Sequence, residues 1–399
     1  MEDKYELLAP AGDFRNLRAA VDAGADAVYF GIRGFNMRAA AKNFTIRDLG
    51  KIRKICNEGK DGRRVKMYLT LNVVMYEEEL PRIEKIVRTV KDKVDAIICW
   101  DLAVVELCRK YNIEFHISTQ ASVSNSVAAK FYKNLGAKRI ILARELNLKQ
   151  IKKISDVIDV ECFCHGAMCV AVSGRCFMSQ HTHGKKFSAN RGACAQLCRR
   201  SWKVTDDSGN ELRLENSRVL SPKDLCALPF IEEMKKVGVK SFKIEGRNRS
   251  PEYVYTVVSE YRKALDSKLS REEIVAGIER LKKVYNRGFS SGFYLGVPTE
   301  DDFSFSENGE QTEIKEFVGR VEKFWPKVGT VSLRMFAGKL KVGDEVYLIS
   351  DSDSIRRASV LGIELDGLKV DSIKKGDFAG VDFGLEVRKG CEVYLIKKR

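Results

Sequence analysis

Over the first 250 residues, short apolar runs alternate with amphipathic stretches. The runs "YELLAP", "AVYFGI", "VKMYLTLN", "AIICW", "EFHIST", "RIILA", "VECFC" and "SFKIEG" read as strands. Between most of them lie helix-like segments such as "DFRNLRAAVDAGA" and "SVSNSVAAKFYKNLGAKR". Strand and helix in regular alternation predict a mostly parallel sheet, and eight such strands predict a TIM-like β/α barrel. A doubly wound open sheet is the alternative, but no GxGxxG follows the first strand. Asp13, in "PAGDF", is placed to cap the first helix.

The pattern then changes. After "VECFC" comes a long insertion with little periodicity, and a stretch of that length is usually functional or disordered. Its cysteines and glycines argue against disorder. Residues 251–292 read as two amphipathic helices, with Tyr253, Val257, Tyr261 and Leu265 on a core face. Residues 296–312 are polar and acidic and read as a linker. Beyond them, "FVGRVEKFW", "VGTVSLRMF", "GDEVYLIS" and "CEVYLIKK" alternate between Gly and Asp turns. They predict a small all-β barrel. Within it, "KLKVGDEV" is similar to a strand-turn of the β-barrel domain of translation factors. The expected division is a catalytic barrel at 1–295, carrying a cysteine-rich insertion at 162–235, and a β-barrel domain at 313–399.

No run of about eighteen apolar residues occurs, so a membrane span is not expected. The acidic N-terminus enters a strand at once and fits no signal peptide. A cytoplasmic protein is expected, and the eleven cysteines then do not argue for disulfides. The net charge of +15 favours a polyanionic partner such as RNA.

In a barrel of this kind the active face lies at the C-terminal strand ends. Those positions hold Asn72, Asp101, Gln120, Arg144, Glu145, His165, Glu245 and Arg247, with Lys243 just before. His165, Glu145 and Glu245 are the candidate catalytic groups. Asn72, Gln120, Arg144, Lys243 and Arg247 are the candidate substrate ligands. Seven cysteines, Cys162, Cys164, Cys169, Cys176, Cys194, Cys198 and Cys226, fall within 65 residues. Structural zinc sites usually show two close CxxC-like pairs, and here there is one, "CAQLC". A radical-SAM reading needs a cysteine at 201, which is Ser201. Four converging thiolates suit either an iron–sulfur cluster or zinc. A Cys164–His165 nucleophile is poorly placed, because neighbours on a strand point to opposite faces.

At these residues a resemblance becomes specific. "ECFCHGAMCVAVSGRCFMSQ", "NRGACAQLCRRSW" and "SFKIEGRNRSPEYV", with the N-terminal "ELLAPAGDFRNLRAAVDAGADAVYFG" and "ISTQASVSN", closely resemble peptidase family U32, the collagenase-like proteins. The resemblance covers essentially the whole chain. Several members look like oxygen-independent hydroxylases, and the nearest in length and motif is the branch that forms 5-hydroxyuridine in tRNA with prephenate as hydroxyl donor. The resemblance implies a [4Fe–4S] cluster on Cys169, Cys176, Cys194 and Cys198, with Cys226 as an alternative ligand and zinc as the alternative metal. It implies RNA, notably tRNA, as partner, and leaves room for a partner subunit or a homodimer. Arg144, Lys243 and Arg247 would clamp a dicarboxylate, and Trp100, Tyr68 and Phe163 are candidate stacking platforms for a pyrimidine. Two other readings stand beside it: a collagenase-like peptidase, and a non-catalytic RNA-binding or assembly factor.

Overall fold

A computed structural model describes residues 5–399 apart from 40, 60, 61, 202, 213–219, 307, 308 and 352–354. It divides into two compact units, Met1–Glu310 and Gln311–Arg399.

The first unit is a closed parallel barrel. Its strands are β1 (Glu6–Ala11), β2 (Ala27–Gly31), β3 (Lys66–Leu71), β4 (Ala96–Cys99), β5 (Phe115–Ile117), β6 (Arg139–Ile141), β7 (Asp159–Gly166) and a closing strand, Val239–Ile244. Each pairs with the next, and the closing strand pairs with both β7 and β1. These strands read as apolar runs because helices cover one face and the packed lumen the other. Leu7, Leu69, Ile97 and Phe242 are fully buried. Each such side chain contributes roughly 1.5–3 kcal/mol through burial. The helices are capped locally, Asp13 accepting a hydrogen bond from the Asn16 amide at 2.9 Å. In the helix Pro251–Asp266, Tyr253, Val257, Tyr261 and Leu265 are buried as a core face.

The insertion leaves β7 at Gly166, whose φ is +105°. A Cβ there would lie 2.5 Å from the Glu245 carbonyl oxygen, so only glycine fits. Short helical turns follow at Val172–Gly174, Met178–His183, Ala189–Arg191 and Leu197–Arg199. The chain returns as the strand Asp224–Cys226, antiparallel to the end of β7. The segment read as a linker packs onto this return. The Lys223 amide donates to the Asp302 carbonyl, and the Ser304 amide to the Ser221 carbonyl, both at 2.8 Å. The first unit therefore runs to Glu310, past the boundary expected at 295.

The second unit is an antiparallel half-barrel. Its long strand, Glu313–Trp325, lies between Thr330–Met335 and Glu392–Lys398. Alternate residues, among them Val318, Val321, Leu333, Leu348, Val381 and Val393, form its core. No helix among the described residues is long and apolar enough to cross a membrane.

Candidate active site

The insertion forms a roof over the C-terminal mouth of the barrel, tied to four rim loops in turn. The Ala39 amide, after β2, donates to the Gly192 carbonyl at 3.0 Å. Gly192 has φ +86°, and a Cβ there would stand 2.3 Å from the Asn36 carbonyl oxygen. Arg191 pairs with Glu79, after β3, at 2.8 Å. Arg175 donates to the Ser122 hydroxyl, after β5, at 2.9 Å. The Glu145 carboxylate, after β6, accepts from the Ser173 amide at 2.8 Å. Ser173 has φ 46°, a conformation that needs such a partner.

Between roof and barrel lies a cavity of about 270 Å³. Its lining is strongly cationic. Arg38, Arg144, Lys243 and Arg247, with Arg199, Arg249 and Arg287, make seven cations against one carboxylate, Glu245, among the described residues. Two further carboxylates stand against these cations. Glu161 holds Lys243 at 2.7 Å and Asp224 holds Arg287 at 3.4 Å. Counting all three carboxylates against the seven cations leaves four positive charges in excess.

Glu245 organises the arginines. Arg38 donates to it through Nε at 3.1 Å and Nη2 lies at 3.0 Å, while Arg144 stands 4.0 Å away. Burial works to raise the Glu245 carboxyl, but Arg38, Arg144 and Arg247 together hold it below the usual carboxylate range. Arg144 also lies over the Phe163 ring, 3.9 Å from its centroid. Arg247 is 4% exposed and donates to Asn36 at 2.9 Å and Thr70 at 3.1 Å. Burial lowers its guanidinium to about 10. Its Nε is buried with no hydrogen-bond partner.

The roof brings Cys169, Cys176, Cys194 and Cys198 to the same cavity. They are the exposed or half-buried thiols of the cluster, whereas Cys162, Cys164 and Cys226 are buried. Burial pushes the Cys198 thiol up, and Cys169, Cys194 and Cys176 add to the shift as like charges. The Met178 amide reaches the Cys176 sulfur at 3.4 Å, and the Gln196 amide the Cys194 sulfur at 3.3 Å. Among the described residues, no three thiol, imidazole or carboxylate groups stand close enough to hold a single metal ion.

Of the expected substrate ligands, Asn72, Gln120, Arg144, Lys243 and Arg247 all line the cavity, as does Glu245. The other two expected catalytic residues lie elsewhere. Glu145 is engaged with Ser173 in fastening the roof. His165 faces outward. A register shift between Phe163 and His165 turns its ring into the helix layer, 5.5 Å from Tyr261 and Phe289 and 6.0 Å from Tyr253. Burial lowers its imidazole to about 3, with Arg249 adding to the shift. Cys226, the alternative ligand, lies in that outer layer, its sulfur 3.8 Å from the Tyr261 hydroxyl. Asp101 caps the helix Leu102–Lys110. Of the three stacking candidates, Phe163 lines the cavity. Tyr68 lies lower, donating to Glu6 at 2.7 Å, and the Trp100 indole N–H donates to the Asn72 carbonyl at 3.1 Å.

Sequence reading missed Arg38, Arg249 and Arg287. Arg38 sits in the long loop between Gly31 and Ile46, and the length of a loop at this face was the available signal.

A family model described as peptidase family U32 matches residues 12–303. A protein named collagenase from Porphyromonas gingivalis is 39% identical over 415 residues, covering 99% of this chain and 98% of its own. A Bacillus subtilis protein named tRNA hydroxylation protein P1 is 37% identical over 360 residues, covering 86% of this chain and 83% of its own. An Escherichia coli protein named 23S rRNA 5-hydroxycytidine C2501 synthase is 38% identical over 267 residues, covering 66% of this chain and 40% of its own.

Proposed function

The chain belongs to peptidase family U32, and we propose that within it this protein is an oxygen-independent RNA hydroxylase that uses an iron–sulfur cluster. The observation that carries the reading is one cavity lined by both seven cations and four cysteine thiols. Two relatives bear names that refer to hydroxylation of tRNA or of a ribosomal cytidine, which supports RNA as the substrate.

Cys169, Cys176, Cys194 and Cys198 would hold a [4Fe–4S] cluster, which supplies one-electron chemistry when bound. Their donor chemistry suits it, and two of the sulfurs already accept backbone amides, as cluster thiolates do. Zinc, the alternative metal, would take the same four thiolates, and the metal content measured below separates the two. The barrel residues act on the organic substrates. Arg38, Arg144 and Arg247 bind the carboxylates of the hydroxyl donor, prephenate in this reading, through charge-assisted hydrogen bonds. Glu245 holds two of those guanidinia in place. Phe163, backed by Arg144, offers a stacking face to a pyrimidine drawn out of its strand.

The alternative, a peptidase, draws on the collagenase name of a relative. Against it, His165 faces the helix layer and cannot serve a nucleophile in the cavity. Two measurements test the proposal. Nucleoside mass spectrometry of tRNA and ribosomal RNA from a strain lacking the gene should show one hydroxylated pyrimidine lost. An unchanged profile overturns RNA hydroxylation. Anaerobically purified protein should carry iron and sulfide at about four each per chain. Cys176→Ser should lose most of that iron and Cys226→Ser should keep it. A colourless, zinc-loaded protein overturns the cluster.

A further inference from the structure

We infer that Lys243 forms a reversible imine with the carbonyl carbon of a small 2-oxo acid bound in the cavity. The inference deepens the reading above and rests on it for the entry of an organic acid into this site. Its own support is geometric. Lys243 carries the one primary amine among the described residues lining the cavity, the other cations there being guanidinia. A guanidinium keeps its proton and serves as an anion clamp, whereas a buried lysine is readily made a nucleophile. Lys243 Nζ lies 4.3 Å from the Tyr29 ring centroid, and the Arg247 guanidinium carbon lies 5.7 Å from the same centroid. Amine and guanidinium share one aromatic neighbour, an arrangement suited to a carbonyl and a carboxylate one bond apart. The buried Arg247 Nε, without a hydrogen-bond partner, is a donor available to that carboxylate.

The proton acceptor stands behind the amine. Glu161 is 0% exposed, and its Oε1 is 2.7 Å from Nζ. Its Oε2 makes no hydrogen bond, although the Arg139 guanidinium lies 3.5 Å away. Burial works against the ammonium form and lowers the Lys243 pKa, with Glu161 opposing.

The step balances without an added reagent. Glu161 takes one proton from the ammonium, and the freed lone pair adds to the carbonyl carbon of the acid. The carbonyl oxygen collects two protons, one of them through Glu161, and leaves as water. Ammonium and ketone become a protonated imine and water, with no electron transferred to or from outside.

Borohydride trapping of the anaerobically purified protein tests this, with pyruvate or 2-oxoglutarate as the probe and peptide mass spectrometry as the readout. The expected result is a secondary amine on Lys243 at close to one per chain. Lys243→Arg, which keeps a charge beside Glu161, should lose the adduct. Should that variant fail to fold, the peptide map of the unaltered protein decides alone. No adduct, or adducts confined to exposed lysines such as Lys66, overturns the imine and leaves Lys243 an ion-pair partner. Its outcome is separable from that of RNA hydroxylation. An unmodified Lys243 with a lost RNA modification removes the imine alone, and an adduct with unchanged RNA removes the RNA substrate alone.

Discussion

The lumen has two levels, and both are rich in charge. At the lower level Glu6 accepts from Tyr68 at 2.7 Å and Ser241 at 2.9 Å and pairs with Arg139. Arg139 lies 3.5 Å from Glu161, which in turn holds Lys243. With Lys66, 3.5 Å from Glu6, two carboxylates face three cations, and each cation has a carboxylate beside it. At the upper level three guanidinia crowd one carboxylate, Glu245, and a buried donor on Arg247 lacks a partner. Charges that close on one another hold the barrel together; charges in surplus await a ligand. Lys243, held by Glu161 yet lining the cavity, is where the two levels meet.

The sharpest way to break this contrast is to unbalance the lower level. Glu161→Gln leaves Arg139 and Lys243 short of a counter-charge at a fully buried position. It should cost about 3–5 kcal/mol, read from urea unfolding. At the upper level, Arg144→Met keeps contact with Phe163 and leaves Arg38 beside Glu245, so it should cost less stability than Glu161→Gln. It should weaken binding of the organic acid by about 2 kcal/mol, roughly thirty-fold, in calorimetric titration. Equal destabilisation by both substitutions would erase the distinction.

Acid sharpens the comparison with a smaller effect per unit. Burial raises the Glu6 carboxyl, but Arg139 outweighs it and holds the group at about 2, down from 4.5. That stability is present above pH 4.5 and is lost as pH falls toward 2. His165, lowered by burial from 6.5 to about 3, acts earlier. Between those values the unfolded chain binds a proton that the native chain does not. Stability is therefore full above pH 6.5 and falls on acidification, by up to about 1.4 kcal/mol per pH unit. His116, lowered chiefly by burial with Glu114 opposing, adds to the same slope. His165→Phe should flatten the dependence of melting temperature on pH between 6.5 and 4.5, leaving the His116 share. An unaltered slope would assign the acid sensitivity elsewhere.

The barrel was legible because strands buried on both faces must be apolar along their length, as in β2 and β4. Asn72, Glu245 and Arg247 were legible as polar residues at C-terminal strand ends, although Asp101, at the same kind of position, caps a helix instead. His165 was not. A single register shift after Phe163 reverses its face, and no periodicity records a shift of that kind. Glu145 looked equally catalytic, since nothing local shows that a turn some 28 residues later needs its carboxylate. Arg38 lies in a loop whose course depends on Gly192, far along the chain.

The ties at Gly192, Arg191, Arg175 and Ser173 all run to rim loops. Wall and roof are thus joined at a few defined points, and the ceiling that selects the guest is fastened independently of the pairing of the staves beneath. A graft of residues 167–200 from one relative onto another, with the four anchor pairs kept, should carry substrate preference along with it.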